Sequence, residues 1–177
     1  GYPIVYKYQT NKGLGVDRNE ALKLSRGDFI AFIDHDDVWL PEKLEKQIPC
    51  FYADSETAIV ISNVLQFDET GYSALLYNKT KPKTGFVFKE LFGNNFVCSS
   101  SAVIRRKVLG ELNEWFDPRF KHIEEAELFA RIAYKKRLAY VDEPLVKNRL
   151  HRASSSYMRP DLSPKETEMM IKKFNNL

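Results

Sequence analysis

The chain has 177 residues, 44% hydrophobic and 13% aromatic, enough apolar material for one domain with a sizeable core, which excludes a disordered chain. A formal net charge of +3, with acids and bases interspersed, is too mild to argue for nucleic acid as a partner. No apolar run approaches the ~20 residues of a membrane span, and Cys50 and Cys98, far apart in apolar company, read as reduced packing residues.

In chain order, residues 4–9 alternate in part and predict a strand, followed by a glycine-bearing loop over residues 10–15. Asp17 with Glu20 three positions on matches a capping box, so a helix is expected from there to Arg26, ended by Gly27. Residues 29–33 are a short apolar run, read as a buried strand of a parallel sheet. Pro41 suits the first turn of a helix carrying Leu44, Ile48 and Phe51 on one face, which Pro49 is expected to kink or break. Residues 58–62 predict another buried strand, residues 66–86 a surface excursion turning near Gly71, and residues 101–104 a further strand. A strong helix covers residues 124–136, a short strand residues 138–141, and a terminal helix residues 164–174. Strands alternating with helices, with no repeat or linker, argue for a single α/β domain.

The sharpest feature is where the run at residues 29–33 ends: Asp34-His35-Asp36-Asp37. Ligands of open α/β sheets bind past the carboxyl ends of such strands. Three acids there repel one another unless a cation sits between them, so the cluster points to a divalent metal. Asp34 and Asp36, two apart on an extended strand end, can share one ion. Asp37 is as well explained as a turn or capping residue.

The order of pieces closely resembles family 2 glycosyltransferases of the GT-A fold. The resemblance rests on Asn11-Lys12-Gly13, Asp17-Arg18-Asn19 and the continuous segment from Gly27 through Gln47. It extends to Glu124-Glu125-Ala126-Glu127-Leu128-Phe129-Ala130-Arg131, similar to the family's Glu-Asp motif, and to Pro144-Leu145-Val146 through Arg149, His151 and Ser154-Ser155-Ser156, similar to its closing motif. The resemblance implies a Rossmann-like, three-layer α/β domain with a mixed, mainly parallel sheet. One domain spans 1–177, residues 1–156 matching the family and 157–177 forming a C-terminal tail or helix. The family's opening strand, helix and second strand have no counterpart, and the chain begins with Gly1 rather than Met, so it reads as a piece of a longer protein. An exposed sheet edge and self-association are expected to follow.

For function the resemblance implies inverting, single-displacement transfer of a sugar from a nucleotide-diphospho-sugar to an acceptor hydroxyl. Asp36, Asp34 and His151 would hold Mg²⁺ or Mn²⁺ across the donor's diphosphate. Arg18, Asn19, Asp34, Asp36 and Arg149 would bind the donor, with Arg152 a further diphosphate clamp. By motif alignment the general base falls at Glu125, where the family usually has Asp; Glu124 and Glu127 are neighbours able to serve instead. Bland readings stand beside these: Arg18 and Arg149 as surface charges, Asn19 at a helix start, His151 as a structural residue, and the glutamates as acids complementing a helix dipole. Trp39 is expected to pack beneath the acidic loop. Asn94, Asn95 and Ser99 to Ser101 fall on the acceptor side.

The implied partners are a nucleotide-diphospho-sugar and a glycan or lipid-linked acceptor, in cell-surface polysaccharide or glycolipid synthesis. The implied location is cytoplasmic, extending to the inner face of the membrane as a peripheral protein. A catalytically inactive nucleotide- or partner-binding relative is the alternative, kept open by Glu125. Receiver domains and haloacid-type phosphatases also place acids at strand ends, but a phosphatase needs its Asp-x-Asp in the first strand with a downstream Thr/Ser and Lys.

Overall fold

In the computed structural model, which describes residues 3–154 and 161–175, the fold is organised around one strand. Residues 57–64 are buried without interruption, the signature of a strand covered on both faces. This strand, β3 (Thr57–Phe67), pairs parallel with β6 (Arg137–Arg149) and antiparallel with β5 (Val103–Arg105). β5 carries β1 (Phe29–Ala31), and β6 carries β2 (Val38–Trp39), both antiparallel. β4 (Ser73–Leu75) turns back on the far end of β3, off a path ordered β1-β5-β3-β6-β2.

The alternation along β3 builds two apolar layers. Ile59 and Ile61 enter the larger core with Leu128, Phe129 and Ile132 of α5 (Glu124–Ala133), joined by Leu22 of α1 (Leu14–Leu24). Val60 enters a smaller core with Phe51 and Ile48 of α2 (Lys43–Ala53). Helices thus cover both faces, giving the three-layer arrangement expected. Two short helices, α3 (Phe88–Gly93) and α4 (Arg106–Leu109), complete the domain edge. A last helix, α6 (Leu162–Phe174), docks through Met170, buried with Phe120 and Ala130, and through Phe174, whose ring stacks on Phe88 at 5.5 Å.

Several expectations need correction. The sheet is mixed, but among the described residues β3–β6 is its parallel pair and every other pairing is antiparallel. A parallel neighbour requires a long crossover; β3 to β6 has one, whereas β4 follows β3 through a tight turn at Gly71, whose φ of 90° suits glycine. The run at residues 29–33 is a strand only over Phe29–Ala31. It lies at the end of the strand order, antiparallel to β5, so the acids do not follow a central parallel strand. Residues 4–9 form no strand: Ile4 is 93% and Tyr8 79% exposed, and the segment lies beside α1 with Lys7 reaching Glu20 at 2.5 Å. Alternation makes a strand only when a neighbouring edge takes its amides.

Helix and strand limits also shift for local reasons. α1 starts three residues before Asp17, because Gly13 (φ 97°) turns the chain and its carbonyl takes the amides of Val16 and Asp17. It stops at Ser25 rather than Gly27, the Ser25 hydroxyl donating to the Leu22 carbonyl at 2.8 Å. α2 runs through Pro49 instead of breaking there, held by the fully buried Gln47 and Phe51 on either side. β6 continues well past Val141. The break suggested by Asp142-Glu143-Pro144 is a register shift opposite Ser62 and Asn63, where a residue without an N–H is tolerated.

Beneath the acidic loop sits an unpredicted buried lysine. Lys43, 1% exposed, donates to Gln47 Oε1 at 2.5 Å and to the Ser101 carbonyl at 3.2 Å, and its ammonium lies 5.0 Å from the Trp39 ring centre. Burial lowers its pKa from 10.5 to about 8. Between those values the unfolded chain holds a proton that the folded one has shed, so stability rises with pH across that window. Urea unfolding of the parent and of Lys43→Met should therefore show the parent gaining on the variant between about pH 7 and about pH 10. A constant difference would show that Lys43 titrates as an ordinary lysine.

Candidate functional site

The acidic loop leaves β1 through the buried Phe32 and is fixed on two sides. On one side the Ser100 hydroxyl and the Asp34 amide are bonded at 3.0 Å, and the Trp39 indole N–H donates to the Ser100 carbonyl at 2.9 Å. On the other, Asp37 Oδ1 accepts from the Asn148 side chain at 2.9 Å and from the Arg149 amide at 3.1 Å, while β2 pairs with β6. Asp37 therefore has the structural role that a turn residue suggested, and Trp39 packs under the loop as expected. Asp34 and Asp36 are left partly exposed.

Arg18, on α1, is the hub of the site. Its Nη1 donates to Glu124 Oε1 at 2.8 Å, and its Nη2 lies 3.1 Å from Asp34 Oδ1 and 2.5 Å from Glu125 Oε1. Phe32 and Phe116 lie against the guanidinium, with ring centres 5.9 and 5.6 Å away. Arg18 is thus no surface charge. The planar fork suits several carboxylates at once, which a lysine could not match. Burial pushes all three carboxyls up: those of Asp34 and Glu125 against the pull of Arg18, that of Glu124 against its backbone hydrogen bond and Arg18.

The two glutamates differ in access. The Glu124 side chain is 2% exposed, with Oε2 buried and unpartnered, whereas that of Glu125 is 25% exposed. Glu127 is fully buried, paired with Arg131 at 2.5 Å and Lys173 at 2.9 Å, which removes it as an alternative base. Asp36 and His151 meet at 2.6 Å between Oδ2 and Nε2. Burial opposes ionisation of Asp36, but the His151 hydrogen bond and nearby positive charge hold its carboxyl below the ordinary value.

Asp36 and His151 open into a cleft of about 1040 Å³ lined also by Asp68, Thr70, Arg149 and Arg152. The Arg149 guanidinium stacks 4.8 Å from the Phe67 ring centre at the edge of that cleft. Asn19 is used elsewhere: its amide donates to the Phe116 carbonyl at 2.8 Å and accepts the Phe116 amide at 2.9 Å. Ser99–Ser101 form a buried 3-10 turn that supports the loop. Asn95 bonds the Val97 amide at 3.2 Å. Of the closing motif, Ser155 and Ser156 lie outside the described residues. Among the described residues, no three His, Cys, Asp or Glu side chains are grouped to hold a metal alone, and no helix is long and apolar enough to cross a membrane.

Asn148, Phe116 and Lys43 carry the loop and the hub, and no motif or spacing singles them out. Their roles depend on contacts across more than fifty residues of chain. Replacing Arg18 by Met would leave three acids facing one another, one of them, Glu124, fully buried. The expected loss is about 3–5 kcal/mol near neutral pH. The freed carboxyls then titrate higher in the folded than in the unfolded chain, so part of that loss should be recovered as pH falls through the carboxylate range. Urea unfolding at about pH 7 and about pH 5 measures both.

Residues 1–112 match the model of the family described as glycosyl transferase family 2. The chain is similar to an uncharacterized glycosyltransferase of Methanocaldococcus jannaschii, 28% identical over 148 residues, covering 83% of this chain and 50% of that protein. It is also similar to the putative glycosyltransferase EpsH of Bacillus subtilis, 32% identical over 157 residues (83% and 44%). A third relative is the Escherichia coli UDP-Glc:alpha-D-GlcNAc-diphosphoundecaprenol beta-1,3-glucosyltransferase WfgD, 30% identical over 125 residues (68% and 44%). The chain spans about half the length of these relatives. Its fold matches S. aureus TarS 1–349, solved in complex with UDP-GlcNAc, with a TM-score of 0.63 at 21% identity over 85% of this chain and 43% of that one. The fold is GT-A, and with more than half of its residues matched the chain belongs to glycosyl transferase family 2.

Proposed function

We propose that this chain carries the catalytic centre of an inverting, metal-dependent glycosyltransferase that moves a sugar from a nucleotide-diphospho-sugar to an acceptor hydroxyl. The observation that supports it most is the convergence at Arg18 of the acidic loop with the one glutamate of α5 that is both in the hub and open to solvent. Glu125 would take the acceptor's proton as the hydroxyl oxygen attacks the anomeric carbon. The bond to the donor breaks with its electron pair leaving on the nucleoside diphosphate. A base whose pKa is raised by burial is a better proton acceptor near neutral pH.

The residues present fit a divalent cation. Asp36 and His151 are hydrogen-bonded to each other at 2.6 Å, and, parted, they would offer an oxygen and an imidazole nitrogen to one ion. Asp34 lies two positions along, and a diphosphate would complete the set. Bound there, Mg²⁺ or Mn²⁺ would neutralise negative charge on the diphosphate. Arg149 and Arg152, on the same cleft, are suited to the diphosphate oxygens. The relative WfgD is named for a diphosphoundecaprenol-linked acceptor and TarS was solved with UDP-GlcNAc. A nucleotide-sugar donor and a glycan or lipid-linked acceptor are therefore our reading here, with action at the inner face of the membrane. A catalytically inactive nucleotide- or partner-binding relative is favoured by one observation, the 2.5 Å ion pair that occupies Glu125.

Turnover of nucleotide-sugars by the full-length protein separates these readings. Glu125→Gln should bind nucleotide as the parent does while losing about 10²–10⁴-fold in turnover. Unchanged turnover would move the base elsewhere, and no turnover in the parent with any donor would favour the inactive relative. By calorimetry, UDP should bind more tightly with Mn²⁺ than with chelator, and Asp36→Ala should abolish that gain. Equal affinity in chelator would refute the metal role.

A further inference from the structure

The acids at the start of α5 are not held by α5 alone. Its capping residue, Ile123, offers no side-chain cap. Instead Glu166, on α6 and 4% exposed, accepts the backbone N–H groups of Lys121 at 2.8 Å, His122 at 2.9 Å and Ile123 at 3.0 Å. An acid from another helix thus pins the three residues that lead into α5, just ahead of the amides an N-cap would take, with its charge toward the positive end of the α5 dipole. Seven residues on, on the same face of α6, Lys173 pairs with Glu114 at 2.5 Å, Asp117 at 2.8 Å and Glu127 at 2.9 Å. Met170 is buried between them. The 114–117 loop that Lys173 grips also supplies Phe116, the ring against Arg18.

We propose that Glu166 is a positioning residue for glycosyl transfer: from α6 it fixes the backbone just before Glu124 and Glu125, and so holds both carboxylates on Arg18. This rests on the reading of Glu125 as the base. Glu124 and Glu125 are the first two residues of their helix, the end most free to fray, and the backbone that leads into them is the part Glu166 anchors. A base displaced by about an ångström from its acceptor costs on the order of 10²-fold in rate.

Amide hydrogen exchange and NMR of the Arg18 guanidinium, on the whole protein without substrate, test this. Glu166→Gln keeps the shape but loses the charge and one acceptor oxygen. It should speed exchange across residues 121–127 by about ten- to a hundredfold while β3 and β6 stay protected. It should also broaden the Arg18 signal, identified by its loss in Arg18→Lys. Met170→Ala, which loosens α6 without touching the three amides, should leave the Arg18 signal sharp. If Glu166→Gln speeds exchange equally everywhere, or leaves the Arg18 signal as in the parent, the residue is merely structural and the proposal falls. Should Glu166→Gln fail to fold, Glu166→Asp is judged by the same two readouts. Neither readout depends on turnover, so a wrong base and a wrong positioning residue give different results.

Discussion

A single guanidinium determines how this site is put together. Three carboxylates, one from the acidic loop and two from α5, lie close enough to repel strongly, and two are in surroundings where water screens them little. Arg18 makes their proximity tenable, and it does so from a third element, α1. Segments 16 and 106 residues away in sequence are joined at one planar group. Phe32 and Phe116 exclude water from that group, which strengthens each pair while raising the cost of removing any one partner.

The hub holds its geometry because the surrounding backbone is tied down before the charged side chains meet. β3 and β6 form the rigid centre, and β6 does two things at its outer end. It pairs with β2, and through Asn148 and the Arg149 amide it clamps Asp37. Ser100 holds the loop from the opposite side, and Lys43 and Gln47 hold the turn that carries Ser100 through the Ser101 carbonyl. Asp37 thus anchors the loop to β6, while Asp34 turns to Arg18 and Asp36 to His151. Three adjacent acids in the sequence have three different fates, set by which neighbours reach each of them.

Much of this was legible in the sequence. Apolar runs marked β3, β5 and α5, and the Gly27–Gln47 segment marked the loop. The misses share a cause. Residues 4–9 alternate, yet alternation records a face and not a partner, and no strand is there to pair with them. The run at residues 29–33 is as apolar as a central strand because the larger core covers it, although it lies at the end of the strand order. The strand read at residues 138–141 runs on to Arg149 because the bulge that accommodates Pro144 depends on the opposite strand. Lys43 and Glu166 carry no mark of burial in the sequence; only tertiary placement buries them with their partners.

The length of the Glu125 side chain, one methylene more than an aspartate, matters in the hub. One further methylene lets a carboxylate on the first turn of α5 reach Nη2 of Arg18 at 2.5 Å while keeping a quarter of its surface open. An Asp in that position, shorter by about one carbon–carbon bond, would reach less far and lean less on Arg18. The longer side chain therefore pairs with Arg18 while keeping part of its surface open to solvent. Counted as ionised groups, the hub carries three negative charges against one positive. Such a site disfavours an approaching diphosphate unless positive charge enters with it. Arg149 and Arg152 line the cleft beside Asp36 and His151. The same electrostatic imbalance that makes Arg18 indispensable to the fold thus supports the reading in which donor and cation bind together.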